Sequence, residues 1–401
     1  MSRIAFFSIP AHGHTNPTLA VVRGLTERGH QVCYWSFEMF REKIQEAGAE
    51  FRPCDEFLPP APPDLDRKVG RDFSALIEMM ADATLRMDGP VCRALADFRP
   101  DCVVSDSVCC WGKLFAGKLG IPYVCSTTTL AFDRETASMM KPRLGETARL
   151  LLGMPKMKKK LSLLRRQGYP ADSFVELIQN TPDTDTIVYT SRQFQPQGER
   201  FPENYAFVGP SLTGTPRREE RARPLVYISL GTLMNRRPEF YRRCFGALGD
   251  CGLDVLLSVG EATDLGELGP VPGNFEVRSR VDQPAVLRSA AVFLTHCGMN
   301  SVQESIWSGV PMVLYPQQSE EALVARRAAE LGVGILLEKD SAEAIRAAIL
   351  RVLGDESFSR RTAELGESFR TAGGPARAAE FIEAVIRRSR EKREGGAAHD
   401  I

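Results

Sequence analysis

The chain has 401 residues, of which 43% are hydrophobic and 25% are charged, the balance of a globular protein rather than of a disordered or fibrous one. This length is too great for one ordinary core and suits two domains of under about two hundred residues each. Its 51 basic and 51 acidic side chains cancel, so nucleic acid and anionic membranes are not expected partners. No apolar run reaches the length of about eighteen residues that spans a bilayer, which argues against stable membrane insertion.

The first apolar run, residues 4–9, is too short for a secretion signal, so it predicts a buried strand and a cytoplasmic protein. The ten cysteines are scattered and include no Cys-x-x-Cys pair, so they show neither zinc nor iron–sulfur spacing. We expect them to be reduced thiols in apolar surroundings, because large cytosolic chains rarely use disulfides.

Short apolar runs alternate with helical patterns along the chain, which predicts an α/β fold with parallel sheets and crossover helices. In the first half, strands are predicted at residues 4–9, 31–36, 102–105, 123–126 and 186–189, and helices at residues 17–28, 73–98 and 108–119. Residues 130–180 lack strand patterning and are expected to form helices and loops at the rim of the sheet. A second series of strands is predicted at residues 225–230, 255–259, 275–277, 291–295, 311–314 and 334–336.

A segment rich in proline, glycine and charge, residues 209–224, separates the two series and is predicted to be an exposed linker. The predicted domains are therefore residues 1–208 and 225–372. They are followed by a helix at residues 373–394 and a disordered tail at residues 395–401.

Several motif-like stretches are weak evidence for other chemistry. Residues 112–119 nearly match a phosphate loop but end in leucine, so they lack the hydroxyl that binds magnesium and fit an amphipathic helix. Of two D-x-D triplets, residues 64–66 follow a proline-rich loop and residues 183–185 sit beside Pro182 at the entrance of a strand, where aspartate is an ordinary turn residue. The basic run 156–160 fits a solvated helix face. The fingerprint G-x-G-x-x-G does not follow the first strand, which argues against a dehydrogenase. We expect no metal site.

Two of the five histidines, His12 and His14, follow the first predicted strand in a turn with Gly13. In a doubly wound sheet, the loop at the carboxyl end of a strand faces the ligand crevice, where an imidazole can act as a base. The alternative is a helix start, with Asn16 as the cap and Pro17 as the first helical residue. That alternative leaves His14 unexplained.

Asp106 follows the strand predicted at residues 102–105. An acid in this position can hold an imidazole N–H and stabilise its cation, as aspartate does in an acyl-transfer triad. The alternative is a cap for the helix at residues 108–119.

A third constellation follows the strand at residues 291–295. Gly298 permits a tight turn into a helix, whose N–H groups and positive end can bind a diphosphate without metal. His296 and Ser301 can donate to the same oxygens. Glu304 lies three residues past Ser301 on the same helical face, where a carboxylate can accept from two ribose hydroxyls or simply stabilise the helix dipole. A second strand-to-turn N–H cluster is offered by Ser229, Gly231 and Thr232.

Together these stretches resemble the family-one UDP-sugar glycosyltransferases, in particular the bacterial macrolide and flavonoid branch. The resemblance covers nearly the whole chain and rests on residues 10–17, 207–210, 229–232 and 280–321. It implies the GT-B fold, with two facing Rossmann-like domains and a cleft between them. The first domain would take the acceptor, the second the nucleotide sugar, and the last helix would cross back onto the first domain.

Carried over position by position, the resemblance implies that His14 is the general base and Asp106 its charge partner. It also implies that Gln283 contacts the uracil–ribose region and that Glu304 binds the ribose. The implied phosphate-binding residues are His296, Asn300 and Ser301.

The sequence departs from the family pattern in three places. Arg280 stands where many relatives stack a tryptophan on uracil, and a guanidinium can also stack on a flat base. Val281-Asp282-Gln283-Pro284 replaces a common Val-Pro-Gln-Leu. Glu320-Glu321 replaces the acidic–Gln pair that grips the sugar, unless Glu321 only points to solvent from a first helical turn.

The predicted reaction is an inverting, metal-independent transfer of a hexose, with glucose as the expected sugar, from a UDP-sugar to a hydroxyl of a small hydrophobic natural product such as a macrolide or flavonoid. No cofactor is expected, and the protein is predicted to be a monomer or weak dimer. One alternative is a nucleotide-sugar epimerase or hydrolase of the same architecture, which would need paired carboxylates rather than a His–Asp pair. The other is a non-catalytic UDP-sugar-binding module, which would have no use for an acceptor base.

Overall fold

A computed structural model of the chain describes residues 1–58, 73–132, 144–171, 173, 177, 181–214, 217–232 and 234–397. The chain divides into two compact units. The first comprises Met1–Arg192, Gln197–Ser211 and Ala372–Ile401, and the second comprises Gln193–Pro196 and Leu212–Thr371. None of the helices in the described ranges is long and apolar enough to cross a bilayer.

The strands of the described residues all belong to two parallel sheets. Those of the first unit are β1 (Arg3–Phe7), β2 (Gln31–Ser36), β3 (Glu50–Pro53), β4 (Cys102–Asp106), β5 (Tyr123–Thr127), β6 (Thr186–Val188) and β7 (Tyr205–Phe207). Those of the second unit are β8 (Leu225–Ser229), β9 (Asp254–Ser258), β10 (Phe275–Arg278), β11 (Ala290–Thr295), β12 (Met312–Leu314) and β13 (Gly334–Leu336).

The helices lie between and after these strands. They are α1 (His12–Glu27), α2 (Arg41–Glu46), α3 (Phe73–Phe98), α4 (Cys110–Leu119), α5 (Leu144–Arg166), α6 (Pro238–Leu248), α7 (Gln283–Ser289), α8 (Met299–Trp307), α9 (Ser319–Glu330), α10 (Ala342–Gly354), α11 (Glu356–Arg370) and α12 (Gly374–Ala397). Short 3-10 helices lie at Glu38–Phe40, Asp55–Phe57, Gly198–Arg200 and Leu265–Leu268.

The two sheets follow the same strand order apart from β7, a seventh strand that only the first sheet has, and this confirms the predicted doubly wound α/β architecture. The first runs β3-β2-β1-β4-β5-β6-β7 and the second β10-β9-β8-β11-β12-β13. In each sheet the order reverses between two central strands, β1 and β4 in the first and β8 and β11 in the second. Ligands of such sheets bind outside the carboxyl ends of the strands at this switch point.

The central strands are apolar along their length because helices cover both faces of the sheet. In β1, the residues from Ile4 to Phe7 are at most 1% exposed, and they pack into one core with β2, β4 and the helices of the first unit. A separate apolar core in the second unit surrounds β8, β9 and β11. The long predicted strands are accordingly confirmed to within two residues at each end.

The predicted start of the first helix is wrong, and the correction moves His14 into the helix. Helix α1 begins at His12, with Ala11 as N-cap residue and no side-chain cap, while Asn16 is exposed and Pro17 lies inside the helix. The His14 N–H already bonds to the Ala11 carbonyl at 3.0 Å, so the turn is formed before Pro17. Pro17 has no N–H to donate to the preceding turn, yet the helix continues to Glu27.

Two short strands, β3 and β7, were not predicted. In β3 only Phe51 is buried, and β7 has three residues, so neither carries an apolar run long enough to stand out. Helix α12 continues to Ala397, past the expected start of a disordered tail at 395, because a pair of glycines weakens a helix without ending it. The triplet at residues 64–66 and much of the stretch 130–180 lie outside the described residues, although α5 falls within that stretch.

Helix α12 belongs to the first unit and closes it with residues from the end of the chain. Its apolar side, with Ala378, Ala379 and Ile382 fully buried, joins the core of that unit. Glu383 adds a polar connection by pairing with His30 Nε2 at 2.9 Å.

Candidate active site and nucleotide site

The first unit brings His14 and Asp106 together at its switch point. His14 lies in the first turn of α1, directly after β1, and Asp106 is the last residue of the neighbouring strand β4. His14 Nδ1 is 2.8 Å from Asp106 Oδ2, and the two side chains are 19% and 0% exposed. A carboxylate oxygen accepts from an Nδ1–H, and the tautomer that donates in this way has Nε2 as the basic nitrogen of the ring.

Asp106 serves the turn and the histidine at once, one oxygen for each. Its Oδ1 accepts from the Val108 N–H at 2.9 Å, while Oδ2 faces His14. Helix α4 itself begins at Cys110 with Cys109 as N-cap residue, so Asp106 closes the turn before the helix rather than capping it. The predicted cap of this helix is therefore wrong, whereas the bond within the turn and the contact with His14 are compatible.

Thr128 is a member of this cluster that sequence reasoning missed. It follows β5, is 2% exposed, and places its Oγ1 3.2 Å from His14 Nδ1 and 3.5 Å from Asp106 Oδ2. The available signal was its position after the predicted strand next to that of Asp106, because the ends of neighbouring parallel strands meet at one edge.

In the second unit, His296 is enclosed by glycines. A Cβ added to Gly231 or to Gly298 would lie 2.5 Å from His296 Nε2, and Gly231 has a positive φ of 76°. The Nδ1 atom is buried and has no hydrogen-bond partner among the described residues. Burial lowers the pKa of His296 to about 4. Without a ligand, His296 is therefore neutral at pH 7, and its ring has one N–H to donate.

Gln283, Ser301 and Glu304 meet where the start of α7 faces the first two turns of α8. Gln283 Nε2 donates to Ser301 Oγ at 3.1 Å and to Glu304 Oε2 at 2.7 Å. Its Oε1 accepts from the Tyr227 hydroxyl at 3.1 Å, a contact that sequence reasoning did not anticipate. Burial raises the pKa of Glu304, and the Gln283 amide opposes this shift. Within this cluster, the Glu304 carboxylate is suited to accept hydrogen bonds from hydroxyl groups.

The start of α8 has the backbone geometry of an anion site. Gly298 is the N-cap residue, no side chain caps the helix, and the first turn holds no acidic residue. Asn300 and Ser301 lie in that first turn. The N–H groups of an uncapped first turn, together with the helix dipole, favour a negatively charged ligand.

The other predicted donor residues lie in two loops of the second unit. The Gly231 N–H donates to Ser229 Oγ at 3.3 Å, so it is used within the turn, and Thr232 is exposed. Arg280 is exposed and Val281 half-buried in the loop between β10 and α7.

Glu321 belongs to the start of helix α9. Its Oε2 accepts from the N–H groups of Gln317 at 2.7 Å and Gln318 at 3.0 Å, in a capping box with Gln318. Burial raises the pKa of Glu321 to about 7, although the two N–H groups favour its charged form. The alternative of a side chain that only points to solvent is wrong for Glu321, whereas its neighbour Glu320 is exposed.

Among the described residues, no cluster of three or more His, Cys, Asp or Glu side chains has the arrangement to bind a metal ion. The D-x-D triplet at residues 183–185 precedes β6, and its Asp185 pairs with Arg388 at 2.7 Å.

Comparisons with known proteins agree on one family. Residues 242–385 match the family model for the C-terminal domain of erythromycin biosynthesis protein CIII-like proteins. The chain is 34% identical to the NDP-glycosyltransferase YjiC of Bacillus subtilis (strain 168), over 96% of this chain and 98% of that one. It is also 34% identical to the demethyllactenocin mycarosyltransferase of Streptomyces fradiae, over 96% and 87% of the two chains.

A solved structure gives the same result. The glycosyltransferase of kitacinnamycin superposes with a TM-score of 0.83 at 28% identity, over 96% of this chain and 99% of that one. Similarity in sequence and structure thus extends over nearly the full length of both units. The chain belongs to the family-one GT-B glycosyltransferases.

Proposed function

We propose that the protein transfers a hexose from a UDP-sugar to a hydroxyl of a small hydrophobic natural product, with inversion at the anomeric carbon and without a metal ion. The observation that carries this proposal is the 2.8 Å pair of His14 and Asp106 at the switch point of the first unit. A partly exposed imidazole with a buried carboxylate on its far nitrogen has the arrangement of a general base.

In the proposed reaction, His14 Nε2 takes the proton of the acceptor hydroxyl while the hydroxyl oxygen forms a bond to the anomeric carbon. The bond from that carbon to the diphosphate oxygen breaks, and UDP leaves with the bonding electrons. Asp106 stabilises the imidazolium that forms. A single displacement of this kind inverts the anomeric configuration, and the base contributes about 10²–10⁴ to the rate.

The second unit would bind the donor. The first turn of α8 accommodates the diphosphate, whose charge grows as the bond breaks, and this helix end does the work that a divalent ion does elsewhere. Glu304 accepts from the ribose hydroxyls, and neutral His296 can donate one hydrogen bond to a phosphate oxygen. We expect EDTA to leave the initial rate unchanged. A rate that collapses and recovers with Mg²⁺ or Mn²⁺ would refute metal independence.

The acidic pair Glu320-Glu321 supports a neutral sugar. Carboxylates accept from sugar hydroxyls and repel a carboxylate on the donor, so UDP-glucose should be preferred to UDP-glucuronic acid. The natural-product acceptor is supported by relatives whose names cite demethyllactenocin and kitacinnamycin.

The direct test is a panel of phenolic and macrolide acceptors incubated with UDP-glucose. The proposal predicts products heavier by one hexose, a β-linked anomeric proton by NMR, and one UDP released per product. Consumption of UDP-glucose at the same rate without any acceptor would instead support a hydrolase or epimerase. Tight UDP-glucose binding with no turnover on any acceptor would support a binding module.

A further inference from the structure

Gln283 has little hydrogen-bonding capacity left for a nucleotide. Its Nε2 donates to Ser301 Oγ at 3.1 Å and to Glu304 Oε2 at 2.7 Å, so both amide hydrogens are used within the protein. Its Oε1 accepts from the Tyr227 hydroxyl at 3.1 Å. The amide therefore joins β8 to α8 as a bracket.

Tyr227 is fixed in the middle of the second sheet. It is 1% exposed in β8, and its ring stacks on Phe293 of β11 with centroids 4.6 Å apart and planes 17° apart. Burial raises the pKa of the phenol, against opposing hydrogen bonds from Ser229 and Ser258, so the hydroxyl keeps its proton. That proton is directed at Gln283 from a rigid position.

We infer that Tyr227 is a positioning residue for the nucleotide: through the Gln283 amide, it holds the Glu304 carboxylate in the orientation that receives the ribose hydroxyls. This inference rests on the proposed function, which assigns the ribose to Glu304. Gln283 Nε2 satisfies one carboxylate oxygen, Oε2, and so leaves the other, Oε1, for the ribose.

Removing the Tyr227 hydroxyl would leave the Gln283 amide free to rotate. Gln283 Oε1 would lose the donor that fixes it, and the amide could rotate about its terminal bond. A rotated amide presents an oxygen to Glu304 instead of an N–H, and two acceptors face to face repel. The carboxylate then loses its preferred orientation, although it touches no altered residue.

The test compares two ligands in two proteins. Uridine diphosphate and 2′,3′-dideoxyuridine diphosphate are titrated calorimetrically into the parent and into Tyr227→Phe, which keeps the ring that stacks on Phe293. In the parent, removing both ribose hydroxyls should weaken binding about thirtyfold, because they bond to a charged acceptor. In Tyr227→Phe, binding of uridine diphosphate should weaken about tenfold while binding of the dideoxy ligand changes less than about twofold.

Tyr241→Phe is the matched control. Tyr241 is a fully buried phenol of the same unit whose hydroxyl donates to the Asn235 carbonyl oxygen. Its variant should keep the parental ratio between the two ligands. Gln283→Met, which removes the amide but retains the length of the side chain, should lose that ratio as Tyr227→Phe does, and it serves as the second variant should Tyr227→Phe fold poorly.

The outcomes separate the inference from the function on which it rests. The positioning role would be overturned if the two dissociation constants kept their parental ratio in Tyr227→Phe, whether binding of both ligands weakens equally or of neither. The ribose assignment would remain intact. A parent protein that binds the two ligands equally would overturn the ribose role of Glu304, and the positioning role with it.

Discussion

The switch points of the two units have the same topology, and each carries a histidine, but the surroundings of the two histidines differ. In the first, His14 is 19% exposed and paired with a buried carboxylate, Asp106. In the second, His296 lies against two glycines, and burial lowers its pKa to about 4. The first arrangement suits a base that becomes an imidazolium, and the second keeps the imidazole neutral.

In the proposed mechanism, one fold supplies two functions. The strand order fixes where the loops meet, and the residues in those loops determine whether a switch point suits proton transfer or anion binding. An acid beside the histidine favours proton transfer, because it stabilises the charged ring. Glycines beside the histidine allow close backbone approach, which suits a site built from N–H groups.

The largest expected effect follows from removing the His14 imidazole at the switch point of the first unit. His14→Ala should lower kcat by about 10²–10⁴, because the acceptor then lacks its base. The affinity for UDP should stay the same, since the proposed nucleotide residues all belong to the second unit. Steady-state kinetics check the loss of kcat, and titration with UDP checks the unchanged affinity.

His30→Ala is the control for this variant. His30 is also a mostly buried histidine of the first unit in contact with a carboxylate, that of Glu383. It should lower the melting temperature and preserve turnover. An unchanged turnover number in His14→Ala would remove His14 from the mechanism.

Asp106→Asn separates the two tasks of this carboxylate. Its amide oxygen can still accept from the Val108 N–H, so the fold should be retained, while the imidazolium loses charge stabilisation. We expect kcat to fall about a hundredfold with little change in melting temperature. Asp106→Ala should lower both, because the turn also loses its acceptor. If the asparagine variant is as active as the parent, Asp106 is only a turn residue.

At the switch point of the second unit, UDP binding should depend on pH. Burial raises the pKa of Glu304, and the ribose needs the ionised form, so UDP binding should weaken as the pH falls through that raised pKa. The loss should begin at a higher pH than for an ordinary glutamate. Glu304→Gln should bind UDP about thirtyfold more weakly at neutral pH and should lose the part of the pH dependence that Glu304 contributes, keeping only that of the UDP phosphate. Identical pH dependence of UDP affinity in the parent and in Glu304→Gln would contradict this role.

The smallest effects concern the acidic pair at α9. Glu321→Ala should cost about 1 kcal/mol of unfolding free energy, because the helix loses its capping box. Glu320→Ala should leave stability within about 0.5 kcal/mol and should raise the KM for UDP-glucose more than it weakens UDP binding. Denaturant unfolding and donor kinetics on both variants test whether Glu321 stabilises the helix while Glu320 contributes to sugar binding. Unaltered donor use in both would end the proposed role of the pair in sugar binding.

Sequence patterns predicted the two sheets because their central strands are long apolar runs, as in residues 225–230. They failed where the determining contact is distant in sequence. Thr128 contacts His14 across 114 positions, and Tyr227 contacts Gln283 across 56, so no local pattern reveals either. The helix start at His12 was missed for the opposite reason. The local Asn-Pro signal favoured residue 17, whereas the turn after β1 had already begun the helix.

The central claim is that His14 removes the acceptor proton, and its most direct test varies the acidity of the acceptor. Parent and His14→Ala are compared on aliphatic alcohols, ordinary phenols and phenols that are already ionised at the assay pH. The account predicts a loss of about 10²–10⁴ on alcohols that shrinks towards unity on ionised phenols, because those acceptors need no base. An equal loss on every acceptor would contradict the claim and make His14 a structural residue.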